Sequence, residues 1–274
     1  MSLSAFLYRR LSRWVTCELA PPGANRIALR TKHDVASASD VFCHPFYWQL
    51  FHWLSTPPRL VVDCGANCGH FSLLAEMCIR SKFGGADARY LLIEPNPLLI
   101  GRLARNLSDA GLAGRTRVIH GLLGTRGEAR TLWVQPSNFL ASGLTAQRGA
   151  KPYEIPGVRL RDIVPDERLD VLKIDIEGAE FSLIEDEPDV MARVGLLCLE
   201  VHSASRTDRD RLARRLEAAG LTRQLRVPTA EAQELWLCTR TRWGTDPTET
   251  SPGGQAARDN NTSESIHPHL VGVR

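Results

Sequence analysis

The sequence predicts an α/β protein built on a mostly parallel sheet. Short apolar runs alternate with longer amphipathic segments from residue 59 onward, an order typical of parallel strands joined by helices. One such run, residues 60–64, ends in a glycine loop and restarts as a helix with its apolar residues on one face. With 274 residues, 43% of them hydrophobic and 24% charged, the chain can bury one full-sized core.

The predicted elements follow in chain order. Strands are expected over residues 59–63, 89–94, 117–121, 169–175 and 194–201, with an extra hairpin strand over 128–134. Helices are expected after Cys68, over 97–110 and over 208–220, where Gly220 provides a stop. A polar loop is predicted over residues 135–152, and a closing antiparallel pair of strands over 221–227 and 233–239.

Two further segments flank this α/β domain, which is predicted to span residues 59–242. Residues 1–58 are expected to form a helical and aromatic extension over the core or the cleft, with an aromatic helix over 42–53. An amphipathic helix over residues 3–15 either docks on the domain or lies on an acidic membrane surface. Residues 243–274 have few apolar side chains and are predicted to be a disordered tail.

Charge and cysteine content restrict the partners and the compartment. The net charge of +3 is too small to indicate a nucleic-acid partner, and none is expected. Seven cysteines, several of them in apolar runs, indicate a reducing cytoplasmic compartment rather than a disulfide framework. No apolar run is long enough to span a membrane. The preference for Arg over Lys is typical of a GC-rich bacterial coding sequence.

The glycine loop after the first predicted strand is typical of nucleotide sites, because glycines let the backbone approach a ligand closely. A dinucleotide site needs the pattern G-x-G-x-x-G and an acid about 20 residues later. Here Asn67 stands between Gly65 and Gly69, and the next strand-ending acid, Glu94, lies 29 residues beyond Gly65. Asp63 precedes the glycines, and we expect it at the rim of the cleft, outside the core. A P-loop is excluded because no Gly-Lys-Ser/Thr follows the glycines.

Four blocks resemble, in order, those of the FkbM-type family of class I S-adenosylmethionine-dependent methyltransferases. They are V-D-C-G-A-N-C-G at 62–69, I-E-P-N-P at 93–97, V-L-K-I-D-I-E-G-A-E at 171–180 and L-E-V-H at 199–202. The resemblance implies a Rossmann-like class I methyltransferase fold, with a mostly parallel seven-stranded sheet, an antiparallel last strand and helices on both faces. It also implies an enzyme that uses S-adenosyl-L-methionine to O-methylate a hydroxyl on a sugar or secondary metabolite.

In that setting the polar groups of the cofactor match side chains at the strand ends. Asp63 would accept hydrogen bonds near the ammonium, Gly65 would let the loop run close to the methionine moiety, and Glu94 would accept from both ribose hydroxyls. The predicted cofactor set is completed by Asn67, Gly69, Asn96 and Asp175. Plainer alternatives stay open, in which Asp63 caps a helix and Glu94 is a solvated charge.

Methyl transfer to oxygen needs an aligned nucleophile and a base for its proton. The predicted catalytic residues are His202, Asp175 and Glu177. His202 is preferred as the base because an ordinary imidazole titrates nearest neutral pH. In the alternative, Asp175, Glu177 and Glu200 hold a divalent metal that orients a diol and lowers its pKa, and the sequence does not decide between the two.

The acceptor is expected to be a small molecule or a glycan, bound around this frame by Glu200, His44, Asn138 and Ser142. An N- or carboxyl-directed methyltransferase for small molecules or peptides stays open, as does a cofactor-binding protein without catalysis. Methyltransferases of nucleic-acid bases commonly carry an Asp/Asn-Pro-Pro-aromatic motif where this chain has D-I-E-G. Homo-oligomerisation is left open.

Overall fold

The structure, a computed structural model, describes residues 17–19, 27–29, 32–85, 87–136, 142–202, 204–229 and 233–240. The strands are β1 (Cys17–Leu19), β2 (Ile27–Leu29), β3 (Leu60–Cys64), β4 (Arg89–Glu94), β5 (Thr116–His120), β6 (Arg130–Val134), β7 (Lys151–Ile155), β8 (Leu169–Ile174), β9 (Val194–Val201), β10 (Arg223–Pro228) and β11 (Glu234–Thr239). The helices are α1 (Lys32–Phe42), α2 (Gln49–Trp53), α3 (His70–Phe83), α4 (Pro97–Asp109), α5 (Leu160–Ile163), α6 (Glu180–Asp186), α7 (Pro188–Met191) and α8 (Arg206–Ala218), with a 3-10 turn at Ala113–Arg115.

Seven of these strands form one sheet in the order β10-β11-β9-β8-β3-β4-β5. Strands β5, β4, β3, β8 and β9 pair in parallel, whereas β11 runs antiparallel to both β9 and β10. The predicted fold class is therefore confirmed, including the antiparallel last strand. From β5 at one edge of the sheet, the chain returns to β8 beside β3, so the strand order reverses at β3. In such sheets ligands bind in a crevice at this reversal, and here the carboxyl ends of β3 and β8 flank it.

The core lies on both faces of the sheet, because each central strand is buried on both sides. Neighbouring strand residues alternate between two apolar clusters, so that Val61 packs with α2, α3 and α4, and Val62 packs with α5 to α8. All five residues of β3 and all six of β8 are buried. Helices therefore cover both faces, which leaves the strand ends as the place for polar chemistry.

The hairpin differs from its predicted form. The predicted strand over 128–134 is present as β6, but its antiparallel partner β7 begins at Lys151, inside the region predicted as a loop. The segment Lys151–Ile155 contains Pro152 and lacks a regular apolar alternation, so it carries a weak strand signal. It is a strand because it pairs with β6, and this contact is not local in the sequence.

The single aromatic helix predicted over 42–53 is wrong. Helix α1 ends at Phe42, a turn follows, and α2 begins at Gln49. Pro45 explains the break, since a proline disfavours helical backbone at the residue before it. The turn is held instead by side chains: the indole Nε1 of Trp48 donates to the carbonyl of Phe42 at 2.8 Å. The α1 helix itself was not predicted.

Some predictions concern residues that the structure does not describe. The helix over 3–15, the tail over 243–274 and Asn138 all lie outside the described residues. Within the described residues, none of the helices has the length and apolar character needed to cross a membrane.

Candidate functional site

The glycine loop joins β3 to α3 through a left-handed backbone. Gly65, Asn67 and Gly69 have φ of 77°, 48° and 83°. A Cβ on Gly65 would lie 1.7 Å from the carbonyl oxygen of Asp175, at the end of the neighbouring strand β8. Gly65 is therefore required because the ends of β3 and β8 touch, a reason that the sequence did not reveal. A Cβ on Gly69 would lie 2.7 Å from a methyl group of Leu103, so Gly69 lets the loop pack on α4.

A cavity of about 520 Å³ opens at the carboxyl ends of β3, β4 and β8. The predicted site residues that line it are Gly65, Asn67, Glu94, Asn96, Ser142, Asp175 and Glu177. Apolar side chains form another part of its wall, namely Ile93, Leu99, Leu122, Leu123 and Leu132. The cavity thus runs from the end of β4, past the glycine loop, to the end of β8, and it combines an apolar wall with a few convergent polar groups.

Glu94 lies in this cavity with 5% of its surface exposed. Each carboxylate oxygen accepts one backbone hydrogen bond: Oε2 from Asn67 N at 2.7 Å and Oε1 from Asn96 N at 2.8 Å. Burial raises the pKa of the Glu94 carboxyl to about 7, although these two hydrogen bonds act in the opposite direction. A carboxylate oxygen can accept two hydrogen bonds, so each oxygen retains one acceptor position.

Asn96 caps α4 and reaches toward the hairpin side of the cavity. Its side-chain oxygen accepts from Leu98 N at 3.0 Å, the usual N-cap bond, and its Nδ2 donates to Ser142 Oγ at 3.2 Å. Ser142 lies beyond the end of β6, so this hydrogen bond ties the segment after the hairpin strand to the end of β4. Asn96, predicted for the cofactor, and Ser142, predicted for the acceptor, therefore meet at the cavity wall.

Asp63 is not at the rim, and that expectation is corrected. It is fully buried, accepts a hydrogen bond from Ser72 Oγ at 2.8 Å and lies 3.5 Å from Lys173 Nζ. Lys173 also donates to the Gly65 carbonyl at 2.7 Å and pairs with Asp175 at 3.1 Å. Burial by itself lowers the pKa of the Lys173 ammonium, but the Asp175 and Asp63 carboxylates outweigh it and hold that pKa above its ordinary value. Asp63 thus stabilises the glycine loop from the core through Lys173, which binds the Gly65 carbonyl, rather than facing a ligand.

The ends of β8 and β9 bring four acids around one imidazole. His202 Nε2 lies 3.6 Å from Glu177 Oε2, 3.6 Å from Glu200 Oε1 and 3.9 Å from Asp175 Oδ1. On the other side of the ring, Nδ1 lies 2.9 Å from Glu180 Oε1. Because nitrogen Nδ1 faces a carboxylate, it carries a proton and donates. The two ring nitrogens thus differ in their surroundings: Nδ1 is anchored by Glu180, and Nε2 faces the other three acids.

Glu180 is a site residue that is absent from the predicted catalytic, cofactor and acceptor residues. It is fully buried, and the oxygen that binds His202 also accepts from Ile176 N at 3.2 Å and Gly178 N at 3.0 Å. The available signal was its position in the first helical turn after a glycine, where an acid can reach back to backbone N–H groups. Glu180 therefore positions both the turn and the imidazole.

The stated reason for choosing His202 as the base does not hold. Burial lowers the pKa of its imidazole, but the Glu180 hydrogen bond and the charges of Glu180, Asp175 and Glu177 outweigh that effect and raise the pKa to about 9. In this arrangement the ring is protonated at neutral pH. Burial and the neighbouring Asp175 charge likewise raise the pKa of Glu200 to about 7.

In the aromatic segment over 42–53, the residue influenced by the acids of β8 and β9 is Tyr47 and not the predicted His44. His44 is half-buried, and its Nδ1 accepts from Phe46 N at 3.2 Å, so it holds the turn before α2. His44 is not among the residues that line the cavity. Tyr47 is buried, and burial together with the Asp175 and Glu200 charges raises the pKa of its hydroxyl. The charges of Asp175, after β8, and Glu200, in β9, thus act on Tyr47, whereas His44 serves the local turn.

A family model places this site among known proteins. The model described as the methyltransferase FkbM domain matches residues 63–221, which is more than half of the chain. The chain belongs to the FkbM methyltransferase family. The match begins at Asp63 and ends before β10, so the loop, the cavity and the acids of β8 and β9 all fall inside the FkbM domain.

The comparisons with individual proteins are more distant. The FkbM chain is 29% identical over 158 residues to methyltransferase sdnD of Sordaria araneosa, and the match covers 46% of this chain and 59% of that relative. It is similar to precorrin-6y C5,15-methyltransferase from Geobacter metallireducens, at 14% identity and a TM-score of 0.43, over 72% of this chain and 88% of the other. A putative rRNA methylase from Clostridium thermocellum is 10% identical, with a TM-score of 0.45, over 73% and 96%.

Proposed function

We propose that this FkbM-family chain is an S-adenosylmethionine-dependent methyltransferase that O-methylates a hydroxyl of a sugar or secondary metabolite. The observation that carries the proposal is the Glu94 carboxylate. It is buried in the cavity, and backbone N–H groups from two different loops fix both of its oxygens. The positions left on those oxygens suit the two adjacent hydroxyls of a ribose, one hydroxyl to each oxygen.

The rest of the cavity also fits this cofactor. Its volume of about 520 Å³ lies within the usual range for a small-molecule site, roughly 300–1,000 Å³. The apolar wall near Glu94, which includes Ile93, Leu99 and Leu123, can cover the faces of an adenine ring. Asn67 and Gly65 line the stretch between Glu94 and Asp175, which leads from the ribose end toward the acids. We assign Asn96 and Gly69 to the support of this wall.

The residues at the end of β8 suit the acceptor side of the reaction. When bound, S-adenosylmethionine supplies an electrophilic methyl group on a sulfonium that leaves as a neutral thioether when the methyl moves to oxygen. Asp175 lines the cavity, and its Oδ2 is held by Lys173 at 3.1 Å. Its Oδ1 is then available to accept the proton of an acceptor hydroxyl as the new carbon–oxygen bond forms. The ring of His202 does not line the cavity, so we do not assign it the role of the base.

The acceptor class rests on the cavity lining supplied by the segment after β6. Ser142 and the neighbouring Thr145 and Gln147 offer hydroxyl and amide groups there, and Leu144 adds an exposed apolar side chain. Such a mixture suits a hydroxylated small molecule or a glycan. A bacterial source and a cytoplasmic location remain predictions from the sequence.

Calorimetric titration of the full chain with S-adenosylhomocysteine tests the proposal. We expect saturable binding by the wild type and a loss of at least tenfold in affinity for Glu94→Gln, because an amide presents one acceptor oxygen instead of two. Glu128→Gln is the matched control, since Glu128 is an exposed acid of the hairpin that pairs with Arg130. No binding by folded wild-type protein would overturn the proposed function, and equal binding by Glu94→Gln would overturn the role of Glu94.

A further inference from the structure

We propose that Asp175, Glu200 and His202 form a divalent-cation site that binds an acceptor through two adjacent oxygen atoms. This inference deepens the proposed function and rests on it for the identity of the bound group as a methyl acceptor. The cation site itself rests on the geometry of three side chains at the ends of β8 and β9, and it can be tested without any methyl transfer.

The three donor atoms already have the spacing that a cation requires. One carboxylate oxygen from Asp175, one from Glu200 and a ring nitrogen of His202 lie within 4.8 Å of one another. An ion about 2.1 Å from each ligand brings its ligands to within about 4.2 Å of one another. Small side-chain rotations therefore suffice to close the three donors on one ion. All three side chains are neither fully buried nor fully exposed, as a site open to a substrate requires.

The second observation is the orientation of His202. Its side chain is nine-tenths buried, its Nδ1 is anchored by the buried Glu180, and its Nε2 is aimed at the carboxylates. Among the described residues, the carboxylate oxygens nearest to Nε2 lie 3.6 Å away, too far for a good hydrogen bond. A histidine that donates one N–H to a carboxylate while its other nitrogen points into a group of acids has the arrangement typical of metal ligands.

The local charge favours a cation at this position. Besides the ligands, Glu177 and Glu180 add two carboxyl groups, and Lys173 lies on the far side of Asp175. Imidazole suits the later transition metals and carboxylates suit Mg²⁺ and Mn²⁺, so this mixed donor set suits Mn²⁺ or Fe²⁺. The Glu177 side chain is 64% exposed and adds its charge on the solvent side, outside the three donors.

The number of ligands indicates what the site would bind. Three protein donors leave about three positions open on a six-coordinate ion. Because Asp175 lines the cavity, an ion held by it would border the cavity at the end of β8, which we assign to the acceptor. A vicinal diol or a hydroxy-ketone fills two adjacent positions, and coordination lowers the pKa of the hydroxyl that is to be methylated. With the cation bound, His202 is a ligand once its Nε2 has lost its proton, and Asp175 coordinates through Oδ1 while Lys173 keeps its Oδ2. The exposed carboxylate of Glu177, beside the three donors, then takes over from Asp175 as the acceptor of the hydroxyl proton.

The test is Mn²⁺ binding to the chelator-stripped full chain, followed by the electron paramagnetic resonance signal of free Mn²⁺. We expect one saturable site in the wild type, at least tenfold weaker binding in Glu200→Gln, and a loss of about 10- to 100-fold in Glu180→Gln through misorientation of His202. Glu128→Gln should bind as the wild type does. Enhanced water-proton relaxation by the bound Mn²⁺ should report open coordination positions.

Binding of S-adenosylhomocysteine to the same variants separates the two proposals. If the wild type binds S-adenosylhomocysteine but no Mn²⁺, or if Glu200→Gln binds Mn²⁺ as tightly as the wild type, the cation site is overturned while the proposed function stands. If Mn²⁺ binds but shows no relaxation enhancement, the ion has no room for a diol, and the acceptor class is overturned. If Mn²⁺ binds and S-adenosylhomocysteine does not, the cation site stands and the proposed function falls.

Discussion

Removal of the buried ammonium in Lys173→Met should destabilise the fold more than it alters the cavity surface. Lys173 is 5% exposed and holds three partners: the Asp63 carboxylate, the Asp175 carboxylate and the Gly65 carbonyl. Methionine fills a similar volume without donating hydrogen bonds. Asp63, which is fully buried, would keep its hydrogen bond from Ser72 but would lose its counter-charge.

The expected cost follows from that burial. Removing one member of a buried ion pair typically costs about 3–5 kcal/mol, because the remaining charge is left uncompensated. Asp175 is partly exposed, so water takes over much of the lost contact there, and we place the cost near about 3 kcal/mol. For a domain of this size each kcal/mol lowers Tm by about 2–4 °C, so the midpoint should fall by roughly 6–12 °C.

The measurement is urea unfolding followed by circular dichroism, with the double variant Asp63→Asn/Lys173→Met as its internal control. The double variant removes both buried charges, and replacing a whole buried ion pair by uncharged groups often changes the free energy of unfolding little. We therefore expect the double variant to recover at least half of the stability lost in Lys173→Met. A loss under about 1 kcal/mol in Lys173→Met, or a double variant as unstable as the sum of the singles, would refute the assignment of Lys173 as the counter-charge of Asp63.

Two further predictions follow from the loop and the cavity. Because burial raises the pKa of Glu94 to about 7 and its acceptor role needs the ionised form, the Kd for S-adenosylhomocysteine should rise about tenfold from pH 8 to pH 6 in calorimetric titrations. The Glu94→Gln profile should be flatter, and a flat wild-type profile would contradict the role of the carboxylate. Gly65→Ala should lower the free energy of unfolding by at least about 3 kcal/mol, because its Cβ would overlap the Asp175 carbonyl. Gly101→Ala, in an exposed position of α4 with open space around it, should instead raise it by about 1 kcal/mol, and equal effects of the two changes would contradict the contact argument.

The sequence was sufficient to place groups that occupy the ends of parallel strands. Glu94, Asp175 and Glu200 each follow or end an apolar run, and the parallel sheet brings such ends to one edge without further information. Period-two alternation would also place Asp175 and Glu177 on one side of a strand, but β8 ends at Ile174 and Glu177 has a left-handed backbone. Both groups line the cavity through the turn after β8 and not through strand alternation.

The sequence was insufficient where a role depends on a partner far along the chain. The sequence predicted Asp63 at the rim because no local pattern reveals its pairing with Lys173, which lies 110 residues further along the chain. The preference for His202 as the base assumed an ordinary pKa, which the Glu180 hydrogen bond and charge and the charges of two further acids, Asp175 and Glu177, raise. The strand β7 was missed for the same reason, since it depends on pairing with β6.

The corrected position of Asp63 changes the interpretation of the glycine loop. The motif that begins at Asp63 keeps the ends of β3 and β8 in contact: Lys173 bridges Asp63, the Gly65 carbonyl and Asp175, and Gly65 has no Cβ to separate them. Asp175 is thereby held within the same cavity as Glu94, two strands away on the other side of β3. The loop thus sets the distance between the group proposed to bind the ribose and the group proposed to receive the acceptor proton. A change at Lys173 should therefore disturb catalysis and stability together, whereas a change at Glu94 should disturb cofactor affinity with little loss of stability.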